Sequence, residues 1–144
     1  MSYKIIGFLL VLFISPMISG AQNIEVYITN IRSTDGSVMI SIFKDQESFR
    51  NEKPFKEIKF KKTKMVENAM KVKITLEPGR YGLTLVDDEN NNGEMDYNFL
   101  GMPKEGFGFS DFYLSGLSRP TLDDFDFIVK KDEKKKIIMK IRYL

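Results

Sequence analysis

Met70-Lys71-Val72-Lys73-Ile74-Thr75-Leu76 decides the fold class. Apolar residues fall at every second position with polar ones between them, the period of two that gives an extended strand one buried and one wet face. The same alternation runs outward in both directions. Upstream, Ile24, Val26 and Ile28 alternate with Glu25, Tyr27 and Thr29, Val38, Ile40 and Ile42 repeat the pattern, and Ile58 and Phe60 are interleaved with Lys59 and Lys61. Downstream, Pro78-Gly79 breaks the chain, after which Tyr81, Leu83 and Leu85 resume it, followed by Phe125, Phe127 and Val129 and then by Ile137, Met139, Ile141 and Tyr143.

These seven segments predict seven strands. Asp35-Gly36 predicts a hairpin joining the first two, and the turn Lys130–Lys136 predicts a pairing of the last two. Helical spacing is confined to Asp45–Glu52, which fits one short helix. The class is therefore all-β, an immunoglobulin-like or transthyretin-like β-sandwich of about seven strands. An outer-membrane barrel does not fit, because Lys59, Lys61, Lys71 and Lys73 would face lipid. Asn98–Asp123 carries no clear strand and reads as a long excursion between two parts of the sandwich, the kind of loop that often carries function.

Composition narrows the chemistry. The 144 residues include no Cys, no His and no Trp, and 22 Lys and Arg against 20 Asp and Glu leave a formal charge of +2. Thiol and imidazole catalysis is excluded, as are zinc sites built on those ligands. Carboxylates, amides, hydroxyls and carbonyls remain, the ligand set of Ca²⁺. Near neutrality predicts no nucleic-acid partner.

The chain opens as a secretory leader. Lys4 precedes the apolar run Ile5–Ile14, and Ser19 and Ala21 stand three and one residues before a cut after Ala21. A signal peptide over Met1–Ala21 is expected, with Gln22–Leu144 as a single β-sandwich domain, periplasmic or secreted and with no stable membrane insertion after cleavage. Pro16 and the short apolar run disfavour a membrane anchor, which needs roughly 20 apolar residues.

One segment stands out electrostatically. No Lys or Arg occurs from Tyr81 to Pro103, yet Asp87, Asp88, Glu89, Glu94 and Asp96 crowd together. Asp88, Asn90 and Asn92 occupy the first, third and fifth places of a loop whose sixth is Gly93 and ninth is Asp96. Alternate residues of a tight turn aim oxygens at one centre, which makes Asp88, Asn90, Asn92, Glu94 (through its carbonyl) and Asp96 a candidate Ca²⁺ set. The twelfth place is Phe99 rather than Glu and no helix flanks the loop, so it is not an EF-hand. The simpler alternative is an Asn-Gly turn with solvated carboxylates. Elsewhere, Lys130–Lys136 reads as a charged turn, and Asp124 and Asp126 as outward charges of one strand with Asp123 beside them.

The run Leu76–Tyr81, then Asp88-Glu89-Asn90 with Asn92-Gly93 and Asp96, then Gly101-Met102-Pro103-Lys104-Glu105-Gly106-Phe107-Gly108-Phe109-Ser110, resembles the secreted bacterial family called domain of unknown function 2141. The resemblance covers nearly all of the chain after the leader and implies a small exported β-sandwich; it implies no activity. Physically, the Gly101–Ser110 stretch is an irregular backbone with Phe107 and Phe109 as anchors, expected to cap one end of the sandwich or fold back on the acidic loop and bring Glu105 near it.

Together these features predict a non-enzymatic exported module with a structural Ca²⁺ loop, serving binding or assembly at the bacterial envelope, its partner an envelope protein complex or a glycan. Two alternatives stand: an interaction subunit of an outer-membrane or secretion complex, and a glycan hydrolase pairing Glu105 with Asp96 or Asp111.

Overall fold

The computed structural model describes residues 20–144. Of the expected signal peptide, Met1–Ser19 lies outside the described residues. The chain is all-β and forms two sheets. Its strands are β1 (Gln22–Thr29), β2 (Ser37–Phe43), β3 (Lys56–Lys61), β4 (Met70–Leu76), β5 (Gly79–Asp88), β6 (Gly106–Phe109), β7 (Asp126–Val129) and β8 (Lys135–Lys140), with short helices α1 (Gln46–Arg50) and α2 (Leu122–Phe125). One sheet has three strands in the order β4-β1-β8; the other runs β3-β2-β5-β6, with β7 paired to the first half of β5.

The alternation predicted from sequence sets the faces. Ile24, Val26 and Ile28 of β1 and Val38, Ile40 and Ile42 of β2 are fully buried between the sheets, and Leu83, Leu85, Ile137 and Met139 complete the same core. A second apolar cluster, Phe43, Phe49, Leu122 and Phe125, fastens both helices to the five-stranded sheet. Helix α1 starts where expected, since the Asp45 side chain accepts the Ser48 N–H at 2.7 Å.

The pairings differ from expectation. β1 and β2 form no hairpin: they belong to different sheets, and the segment holding Asp35-Gly36 crosses between them. β7 pairs with β5, while β8 lies parallel to β1 with Ile24 opposite Lys135. Asp124 is no strand residue either. It sits in α2 and accepts the Thr121 N–H at 2.7 Å, while Asp123 and Asp126 both ion-pair with Arg80.

The excursion Asn98–Asp123 contains an eighth strand, β6, pairing with β5 from Thr84↔Phe109 to Asp87↔Gly106. It also closes one side of the sandwich. The Phe107 N–H donates to the Arg142 carbonyl at 3.0 Å, and the Asp111 N–H to the Ile138 carbonyl at 2.8 Å. Among the described residues, no helix is long and apolar enough to cross a membrane.

Candidate functional site

The acidic loop leaves the end of β5. Asp88 is fully buried, and its two oxygens accept the backbone N–H groups of Asn92 at 3.0 Å and Gly93 at 2.9 Å. The carboxylate thereby closes the turn from inside, in the manner that makes Asp a turn residue. The reversal places Asn91 and Gly93 at φ 57° and 78°. On the outer side, the Asp96 carboxylate accepts the Asn90 side-chain amide at 2.6 Å and the Asn92 amide at 2.9 Å. Asn90 and Asn92 thus both turn their amide N–H groups onto Asp96, while Asp88 holds the backbone of the same turn. Glu94 is exposed, and among the described residues no hydrogen bond or ion pair reaches its carboxylate.

The counterions missing from the local sequence arrive from elsewhere. Lys62 pairs with Asp87, Lys59 Nζ stands 3.3 Å from Asp88 Oδ2, and Arg32 Nη2 stands 2.5 Å from Glu89 Oε1. Lys62 is buried and also donates to the carbonyls of Ser33 at 2.9 Å and Asp35 at 2.7 Å. Tyr143 Oη donates to Asp87 at 2.6 Å, and burial together with this bond pushes the phenol above its ordinary range. Sequence reasoning missed this cluster, because Arg32, Lys62 and Tyr143 come from three separate segments.

Glu105 does fold back on the loop. It is buried, and its two oxygens accept the backbone N–H of Glu89 at 3.1 Å and of Asp96 at 3.3 Å, tying the loop's beginning to its end. Burial raises its pKa, with the charges of Asp96 and Asp88 adding to the effect. Asp111 is engaged elsewhere, accepting the Ile138 N–H at 2.8 Å. Among the described residues, no three Asp, Glu, His or Cys side chains gather as a metal site. The candidate set instead mixes two carboxylates with two amides: the amide N–H groups face Asp96, while the side-chain oxygens of Asn90 and Asn92, the atoms a hard cation would use, accept the backbone N–H groups of Asn92 and Glu94.

Beyond Asp96 the chain becomes the wall of an apolar groove of about 500 Å³ on the outer face of the five-stranded sheet. Phe43, Val86, Phe107 and Phe109 line it from the sheet side, and Tyr97 and Met102 from the loop. The Phe107 and Phe109 rings face this groove, half-buried, and the inward positions of β6 are Gly106 and Gly108. These aromatics therefore do more than cap the sandwich. The opposite wall, Leu114–Arg119, is clamped at both ends: Arg142 Nη1 donates to the Gly116 carbonyl at 2.5 Å, and Arg119 Nη2 to the Phe49 carbonyl at 2.8 Å. Phe99, Leu100 and Leu117 stand exposed nearby in sequence, at 95%, 71% and 75%.

The family model described as an uncharacterized protein conserved in bacteria, domain of unknown function 2141, matches residues 26–137. No curated protein and no solved structure matches the chain. The matched span takes in the acidic loop, Glu105 and both walls of the groove, and the chain belongs to the domain of unknown function 2141 family of bacterial proteins.

Proposed function

We propose that this protein is a non-enzymatic, exported binding module of the bacterial envelope, in which Ca²⁺ held by Asp88, Asn90, Asn92 and Asp96 fixes one wall of an apolar ligand groove. The observation that carries the reading is continuity: Met95 within the acidic loop and Tyr97, Met102 and Pro103 just after it line the groove. A cation ordering the loop would order that wall. The volume is in the usual range for small-molecule sites, and a mostly apolar lining with a few polar groups, here Ser41, Thr84, Arg119, Glu52 and Glu57, is the composition such sites have. Export is supported by the leader pattern around Lys4, Ile5–Ile14, Ser19 and Ala21.

The hydrolase reading draws on Glu105, whose raised pKa is what a general acid needs. Against it, both Glu105 oxygens hold backbone N–H groups and the residue is not part of the groove lining.

The test is binding of an apolar fluorescent dye, phenylnaphthylamine, with calcium and with chelator. Calcium should tighten dye binding, and Met102→Asp should weaken it in both buffers. Dye affinity unchanged by calcium, together with no effect of Met102→Asp, would remove the groove from the function.

A further inference from the structure

The outer face of the three-stranded sheet lies away from both the groove and the acidic loop, and its register arranges charge in columns. Central strand β1 presents Glu25, Tyr27 and Thr29 outward. On one side β4 sets Lys73 opposite Glu25 and Lys71 opposite Tyr27. On the other, β8 sets Lys136 opposite Glu25, Ile138 opposite Tyr27 and Lys140 opposite Thr29. Lys71, Lys73, Lys136 and Lys140 are all exposed. Neighbouring strands are ~4.8 Å apart, so the two lysine columns flank β1 at a separation of ~10 Å.

Glu25 is the one carboxylate within these three strands, and it is already engaged by Lys71 Nζ at 3.5 Å and by the Tyr27 hydroxyl at 3.2 Å. The Tyr27 ring lies between the columns, with Lys136 Nζ 4.2 Å and Lys71 Nζ 5.7 Å from its centroid. Asn23 and Thr75 continue the face with amide and hydroxyl groups. Both helices pack on β2 and β5 of the other sheet.

We propose that this face docks an acidic polysaccharide, a sugar chain bearing carboxylates, laid along β1 between the lysine columns and over the Tyr27 ring. The columns match a repeating anion on each side, the Tyr27 ring beneath Lys136 holds that ammonium in place and leaves its edge to a sugar, and the hydroxyls and amide suit the sugar's polar groups. A membrane surface is disfavoured because Ile138 and Tyr113, whose ring stands beside Lys140, offer too little exposed apolar surface at this face to insert. Nucleic acid is disfavoured by a whole-chain charge of only +2.

The experiment is calorimetric titration of the chain from Gln22 onward with polygalacturonate and with neutral dextran, at about 0.1 M salt, where charges more than about 10 Å apart are screened. Polygalacturonate should bind and dextran should not. Lys73→Gln with Lys136→Gln should weaken binding about tenfold or more, the scale on which two lost surface charges act. Lys130→Gln with Lys131→Gln, the same change in net charge at the β7–β8 turn, should alter it less than about twofold. Tyr27→Leu should weaken binding while leaving the salt dependence in place. Equal losses from the two lysine pairs, absence of polygalacturonate binding, or binding only to anionic phospholipid vesicles would each overturn the proposal. Thermal unfolding of each variant separates lost binding from lost fold.

Discussion

Lys62 and Asp87 form an ion pair almost wholly withdrawn from water, at 5% and 0% exposure, where the acidic loop leaves the sheet. The ammonium is saturated by Asp87 and the Ser33 and Asp35 carbonyls, and the second Asp87 oxygen is taken by Tyr143. The position a bound cation would hold beside Asp87 is thus filled by a side chain. Breaking one partner strands a buried charge, so Lys62→Met should cost ~3–5 kcal/mol of stability. Lys62→Met combined with Asp87→Leu should recover a large part of that loss, since a pair of apolar groups leaves no buried charge behind. Urea unfolding of the three proteins measures both, and a double variant no better than the single one would place the stabilisation outside the ion pair.

Gly36 is fixed by the same corner. Its φ of +71° is left-handed, and a Cβ there would overlap the backbone of Asp88 and Glu89. Neither can yield without moving the root of the loop. Gly36→Ala should cost ~2–3 kcal/mol, read as a lower urea midpoint with an unchanged slope.

Phe109 separates core from groove. Its ring centroid is 5.0 Å from that of Phe125, but Phe109 is half-buried and lines the groove, while Phe125 is 2% exposed. Phe125→Ala should cost ~3–5 kcal/mol, and Phe109→Ala distinctly less, ~1–2 kcal/mol, because part of the ring stays in water when folded. Equal losses would mean that the groove is closed in solution.

The strands were legible in sequence because their inward positions are large and apolar; Met70–Leu76 alternates in the structure as it does in the text of the chain. Pairing was not legible, since nothing in Phe127 or Ile137 records that their neighbours are β5 and β1. Strand β6 escaped for a specific reason. A Cβ at Gly106 would collide with Ile141 and Tyr143, which keeps that inward position glycine; with Gly108 at the other, the aromatics face outward, erasing the usual signal. In the candidate site the spacing predicted oxygens aimed at one centre, whereas the fold turns the Asn90 and Asn92 amide N–H groups onto Asp96 and alone brings in the counterions Lys59, Lys62 and Arg32.

Tyr143 gives a pH signature. Its folded pKa is raised, first by burial and then by the hydrogen bond to Asp87. A group raised in the folded state contributes stability that is fully present below its unfolded value, about 10, and is lost as pH rises through the folded value. Between pH ~9 and ~11 the native protein should therefore lose more stability than Tyr143→Phe does. In an ultraviolet titration of the five tyrosines from Gln22 onward, Tyr143 should be the last to ionise. Parallel pH profiles for the two proteins would show the phenol to be freely solvated.

The metal loop yields the most specific expectation. Asp88 already spends both oxygens on Asn92 and Gly93 N–H groups and faces Lys59, so a bound cation competes with an ammonium 3.3 Å away. Ca²⁺ at a hundredfold excess over Kd should stabilise the fold by about 2.7 kcal/mol, a rise in Tm of roughly 5–10 °C for a domain of this size. Asp96→Ala should abolish the shift, because Asp96 is where the Asn90 and Asn92 side chains converge. Asp88→Ala should do the same and lower the starting stability as well, its carboxylate being the turn's internal acceptor. Lys59→Met should act oppositely and enlarge the calcium shift by removing the competing charge. Asp123→Ala lies outside the loop, pairs with Arg80 and should leave the shift intact. Magnesium should do less, since its compact octahedral shell fits a wide loop of carboxylates and amides poorly. Scanning calorimetry with calcium, magnesium and chelator reads all of these at once. Superimposed curves for the native protein, with Lys59→Met equally unresponsive, would leave the loop with its side-chain counterions Lys59 and Arg32 and no metal.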